Sequence, residues 1–135
     1  MTASRKIIPS QQIVTSAHKI SREANGIIKR QVIEDAHVDV NEIDECEKMS
    51  LKLNNGKKML VLVDASKFHT LTPEATNFLR KIQSKSRIAT AIVSSNLSQK
   101  IIANFMNDKS GKTPIKTFST ENEAVKWLLS LKRKV

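Results

Sequence analysis

Residues 58–64 read Lys-Met-Leu-Val-Leu-Val-Asp, five consecutive apolar side chains closed by a carboxylate. A strand wetted on one side alternates apolar with polar residues, whereas a continuously apolar run belongs inside a parallel sheet covered on both faces. The run therefore predicts a central parallel strand. It is also the longest wholly apolar run in the chain, far short of the ~20 residues that a membrane span requires.

Working outward, Thr72-Pro73-Glu74 supplies a hydroxyl cap, a proline at the first helical position and an acid at the positive end of the helix dipole. Ala75, Phe78, Leu79 and Ile82 then recur with the spacing of one helical face. A second apolar run, Ile88–Val93, leads through Ser94-Ser95-Asn96 into a predicted helix with Leu97, Ile101 and Phe105 facing inward. Ile115–Phe118 predicts a short strand. Thr120 with Glu123 forms a capping box before Ala124, Trp127, Leu128 and Leu131.

Upstream, Ile13–Ile20 and Ile27–Ile33 are rich in β-branched residues, and Asn25-Gly26 between them suits a tight hairpin turn. Asp39 and Glu42 form another capping box, followed by Ile43, Cys46, Met49 and Leu53 at helical spacing and a stop at Asn55-Gly56. The expected order is ββαβαβαβα. That is an α/β fold: a mostly parallel five-stranded sheet with one antiparallel hairpin strand, covered by four helices. One domain should span residues 1–135, with 1–11 as a loose N-terminal arm.

The segments GKKMLVLVDASKFHTLTPEATNFLRKI, IATAIVSSNLSQKIIANFM and PIKTFSTENEAVKWL together resemble the small bacterial SpoIIAA-like members of the STAS superfamily, the sulfate transporter and anti-sigma factor antagonist domains. The resemblance spans residues 12–131 and implies a STAS-like fold and a non-catalytic, regulatory, protein-binding role. In the antagonists a phosphorylatable Ser opens the helix after the central strand, within an Asp-Ser-Ser-Gly-like sequence. The matching stretch here is Thr72-Pro73-Glu74-Ala75. Its Ser-Gly part is absent and Glu74 stands near the phosphoacceptor's place, leaving Thr70 and Thr72 as the nearby hydroxyls.

Loops leaving the C-terminal ends of parallel strands converge on a crevice rimmed by helix N-termini. That edge collects Asp64, Ser66, Lys67, His69, Thr70 and Thr72, then Ser94, Ser95 and Asn96, then Ser119 and Thr120. These residues are the candidate ligand or partner edge. Several also have purely structural work as caps, Thr72, Asn96 and Thr120 among them.

Other chemistries lack their motifs. Gly111-Lys112-Thr113 resembles the end of a phosphate-binding loop, but Met106 stands where the first glycine belongs, and the flanking elements come in the wrong order. His18, His37 and His69 have no partner at metal-ligand spacing. The acids Asp39, Glu42, Asp44, Glu45 and Glu47 crowd one helix, with Glu42 and Glu45 on a solvated face. Gly-x-Ser-x-Gly does not occur. The one cysteine, Cys46, reads as a small core residue and, with no possible disulfide, suggests a reducing, cytoplasmic compartment. No enzyme, cofactor or metal is expected.

The net charge of +10 is unevenly spread: residues 31–55 hold two basic against seven acidic side chains, while the flanking segments are strongly basic. Such charge separation suits an acidic protein surface or self-association into a homodimer. Nucleic acid ranks behind these, because tyrosine is absent and aromatics are 4%, leaving little to stack on bases. The rival expectation is a small anionic or lipid-like ligand at the helix N-termini. A deep apolar pocket with Lys67 or His69 at its mouth would favour that ligand; a shallow edge would favour protein contact.

Overall fold

The computed structural model describes residues 12–94 and 113–132. The N-terminal arm (1–11), Ser95, Asn96, the expected helix through Leu97, Ile101 and Phe105, and Gly111-Lys112 lie outside them. Among the described residues, eight strands and three helices follow in the order β1 (Gln12–Val14), β2 (His18–Arg22), β3 (Ile28–Val32), β4 (Ala36–Val38), α1 (Val40–Leu53), β5 (Met59–Asp64), β6 (His69–Leu71), α2 (Pro73–Ser86), β7 (Arg87–Val93), β8 (Ile115–Phe118) and α3 (Glu121–Lys132). Among the described residues, no helix is long and apolar enough to cross a membrane.

The main sheet has six strands in the order β1-β2-β3-β5-β7-β8. Strands β3, β5, β7 and β8 run parallel, and β1 and β2 pair antiparallel at one edge. The continuous apolar run is indeed interior: β5 lies between β3 and β7, with Met59 to Leu62 all buried.

Two corrections to the expected sheet follow. The stretch Ile13–Ile20 is two strands rather than one, because the Thr15 N–H donates to the His18 carbonyl at 2.8 Å while the His18 N–H donates back to the Thr15 hydroxyl at 3.1 Å. That turn folds β1 back onto β2, so the sheet gains a sixth strand. Second, a two-stranded parallel ladder joins β4 to β6, pairing Ala36 with His69 and Val38 with Leu71. The chain reaches it through a turn at Asp35, whose φ of 65° an aspartate tolerates, and whose N–H donates to the Phe68 carbonyl at 2.7 Å.

Period-two alternation sends neighbouring residues to opposite sides. On one face Leu60, Leu62, Ala89, Ala91 and Val93 pack beneath α3 through Ala124 and Leu128. On the other, Val61, Ile28 and Val32 meet α1 and α2 through Ile43, Cys46, Leu53 and Ala75. The caps form as their sequences require. Asp39 and Glu42 complete the box at α1, Thr72 accepts from the Ala75 N–H at α2, and Thr120 and Glu123 pair at α3.

Candidate functional site

The C-terminal edge of the sheet carries the residues singled out in the sequence, but among the described residues they sort into separate hydrogen-bonded pairs. Asp64 accepts from both the N–H and the hydroxyl of Ser66, at 3.0 and 2.6 Å, closing a local turn. The Thr70 hydroxyl bonds His37 Nδ1 at 2.7 Å. Thr72 caps α2 and also donates to Asp39 Oδ1 at 2.8 Å, so one hydroxyl joins the caps of two helices. This bond, and next the Val40 N–H, hold the Asp39 carboxyl below its usual range. Lys67 is exposed and Phe68 is 68% exposed; Ser94 is buried, its N–H donating to the Phe118 carbonyl. His69 Nδ1 bonds the Lys67 carbonyl at 2.8 Å, which makes that nitrogen the donor.

His69 also belongs to something the sequence did not announce. Between the sheet and the α1/α2 layer lies a cavity of about 100 Å³. Much of its wall is apolar, including Val32, Val38, Val63, Leu71, Leu79 and Ile92. Four basic residues interrupt this wall: His18 on β2, Arg30 on β3, His69 on β6 and Arg87 on β7.

Arg30 reaches the interior because β3 alternates, placing Ile28, Arg30 and Val32 on the buried side. Glu47 reaches it because α1 turns Ile43, Cys46, Glu47 and Ser50 inward together. Arg30 donates through Nη2 to Glu47 Oε1 at 2.7 Å and through Nε to the Ser50 hydroxyl at 3.0 Å. Arg87 grips the same carboxylate with two nitrogens, Nη1 to Oε2 and Nη2 to Oε1, each at 2.7 Å. The Ser86 hydroxyl donates to Glu47 Oε2 as well. Paired geometry of this kind is what allows charges to persist in a low-dielectric interior.

Burial works against the Glu47 charge, yet hydrogen bonds from Arg87 and the field of Arg30 outweigh it and hold the carboxyl down at about 2. Burial, and then Arg30, lower Arg87 to about 10. His18 is pulled down to about 4 by burial first, then by Arg30 and His69, so its imidazole is neutral near pH 7. Burial pushes the Cys46 thiol up, keeping it protonated, as suits a core residue.

The cluster thus holds two guanidinium groups against one carboxylate. Two of its surrounding polar atoms have no hydrogen-bond partner: His18 Nδ1 and Arg87 Nε. Both residues are almost wholly enclosed, at 5% and 2% exposure. Sequence reasoning reached His18 only as an isolated histidine and passed over Arg30 and Arg87. A charged side chain flanked at i−2 and i+2 by Ile28 and Val32 was the available signal.

A family profile described as "Domain of unknown function (DUF7793)" matches residues 20–132. No curated protein matches the chain. Among solved structures, it is similar to an uncharacterized protein of the DUF3478 family with a SpoIIAA-like fold from Shewanella loihica PV-4, at 15% sequence identity and a TM-score of 0.60. The likeness covers 86% of this chain and 98% of that one. The fold is therefore STAS/SpoIIAA-like.

Proposed function

The chain belongs to the DUF7793 family, and from that premise we propose a non-catalytic, cytoplasmic STAS-like module whose interior cavity binds a small, largely apolar molecule. One observation carries this reading: a mostly apolar cavity lies beneath the sheet's C-terminal edge, with His69 in its wall and two enclosed polar atoms left unsatisfied. Buried polar groups are nearly always paired, so an enclosed donor or acceptor at a cavity wall is suited to a polar group that enters the cavity. The rim gives the bound state an outlet, since His69 connects the cavity wall to Lys67 and the exposed Phe68.

Titrating ¹⁵N-labelled protein with isovaleramide and with isovalerate tests the proposal. Amide shifts centred on Val32, Val63 and Ile92 are expected with one or both, and Val63→Phe, which fills the space, should abolish them. If neither compound moves these amides, the cavity reading is wrong.

Phe68 favours a second reading, in which the rim docks an acidic protein surface. A large exposed aromatic is a side chain that interfaces enrich, and the exposed Lys67 beside it supplies a charge complementary to an acidic surface. Affinity capture from the native host with wild type and with Phe68→Ala should then differ by one recovered acidic protein. A wild-type capture that is empty, from a chain that sediments as a monomer, would remove both this partner and a homodimer.

A further inference from the structure

Resting on the ligand-binding reading above, we infer that the occupant is an uncharged molecule whose one small polar group, a hydroxyl in its simplest form, bonds His18 Nδ1 at the sheet's C-terminal end. The two unpartnered nitrogens belong to opposite ends of the wall. His18 pairs with Val32 at the end of β3, whereas Arg87 opens β7 opposite Met59, and β3 and β5 lie between their strands. Arg87 is anchored through Nη1 and Nη2 to Glu47 and Ser86, inside the ion cluster. His18 instead stands where Val38, Leu71 and His69 of the β4–β6 ladder also line the cavity.

That end offers a ligand one hydrogen bond. Among the described residues, His18 Nδ1 is the one enclosed side-chain polar atom there without a partner. Arg30, diagonal to His18 on the adjoining strand, spends Nε on Ser50 and Nη2 on Glu47, and His69 spends Nδ1 on the Lys67 carbonyl. A carboxylate enclosed in such a place needs several donors to replace its water, and one falls short. The positive fields of Arg30 and His69 do not reverse this. Lost hydration, ahead of those fields, sets the charge state of His18, and an arriving anion meets the same influences in the same order. An amine is disfavoured on both counts. A hydroxyl both donates and accepts, so it meets Nδ1 in either tautomer and brings no charge with it. Size sets the apolar part: cavities of about 150 Å³ hold benzene, so about 100 Å³ suits a body of about four carbons.

Adding isoamyl alcohol, which keeps the branched body of isovalerate, to the same titration at neutral pH tests the head group. The alcohol should bind at least about tenfold more tightly than the ionised acid. His18→Phe should weaken the alcohol about fivefold, the worth of one neutral hydrogen bond. His18→Asn, which returns an uncharged hydrogen-bonding group near the place of Nδ1, should recover most of that loss; circular dichroism would verify that both variants fold. If the alcohol binds no better than isovalerate, or if folded His18→Phe binds it like wild type, the assignment fails, while the cavity reading stands as long as isovaleramide or isovalerate still moves the amides of Val32, Val63 and Ile92. If none of the three compounds moves them, both fail.

Discussion

The two faces of the sheet are made from alternate residues of the same strands, yet they are built to opposite rules. Beneath α3 the packing is aliphatic and closed: Leu60, Leu62, Ala89, Ala91, Ala124 and Leu128 are all buried, and small residues on β7 let the helix approach closely. Beneath α1 and α2 the same strands contribute Arg30, Arg87 and Thr90, the helix contributes Glu47 and Ser50, and space is left over. Stability needs only the first arrangement. The second buries charges that an apolar packing of the same volume would not require.

Removing the shared carboxylate should break this contrast most severely. Glu47→Ala strands two enclosed guanidinium groups and is expected to cost about 3–5 kcal/mol, seen as a lowered urea midpoint or failure to accumulate folded protein. An equal loss from Glu47→Ala and from a surface control such as Glu45→Ala would show that the cluster is not a structural keystone.

Acid should attack the α1/α2 face first. His18 titrates near 6.5 when unfolded and about 4 when folded, so between those values the unfolded chain binds the extra proton and stability falls as pH falls. Glu47, at 4.5 unfolded and about 2 folded, extends the loss through the lower window. Each window is worth about 3 kcal/mol. Denaturant melts of wild type and His18→Phe from pH 7 to pH 4 should show a steeper fall in the wild type, by the share that His18 contributes; parallel curves would refute the assignment.

Enlarging side chains should separate the faces more gently. Ala91→Val pushes a methylene pair into the filled α3 side and should cost about 2 kcal/mol, whereas Val63→Ile grows toward the cavity and should change stability by under about 1 kcal/mol. Thermal melts of the two would read the difference directly, and equal losses would mean that the cavity has no spare room. Thr72→Ala, which unlinks the caps of α1 and α2, should cost about 1 kcal/mol by the same measurement.

Much of the frame was legible because it depends on local signals. The apolar run at Met59–Val63, the hairpin at Asn25-Gly26 and the caps at Asp39, Thr72 and Thr120 each carry their own chemistry, and each element formed where that chemistry placed it. The turn at Thr15 escaped because no glycine or proline announces it; a threonine hydroxyl closes it instead. The β4–β6 ladder escaped because three residues on each strand are too few to show a period. The residues Asp64–Thr72 bond locally, Ser66 to Asp64 and His69 to the Lys67 carbonyl, or to the β4–α1 segment, Thr70 to His37 and Thr72 to Asp39. Arg30, Glu47 and Arg87 could not be paired from sequence, being 17 and 40 positions apart, and a cavity leaves no pattern in a sequence because it is an absence of atoms.

The salt-bridged cluster also constrains the routes by which descendants of this chain can diverge. Changing Arg30, Glu47 or Arg87 alone strands a charge, while changing the carboxylate together with the guanidinium groups can give a well-packed neutral core. Neutral drift at these positions must then cross a valley of poorly folded intermediates. Lineages should inherit the set whole or lose it whole, so its simultaneous presence or disappearance separates relatives that retain the interior site from those that retain only the fold.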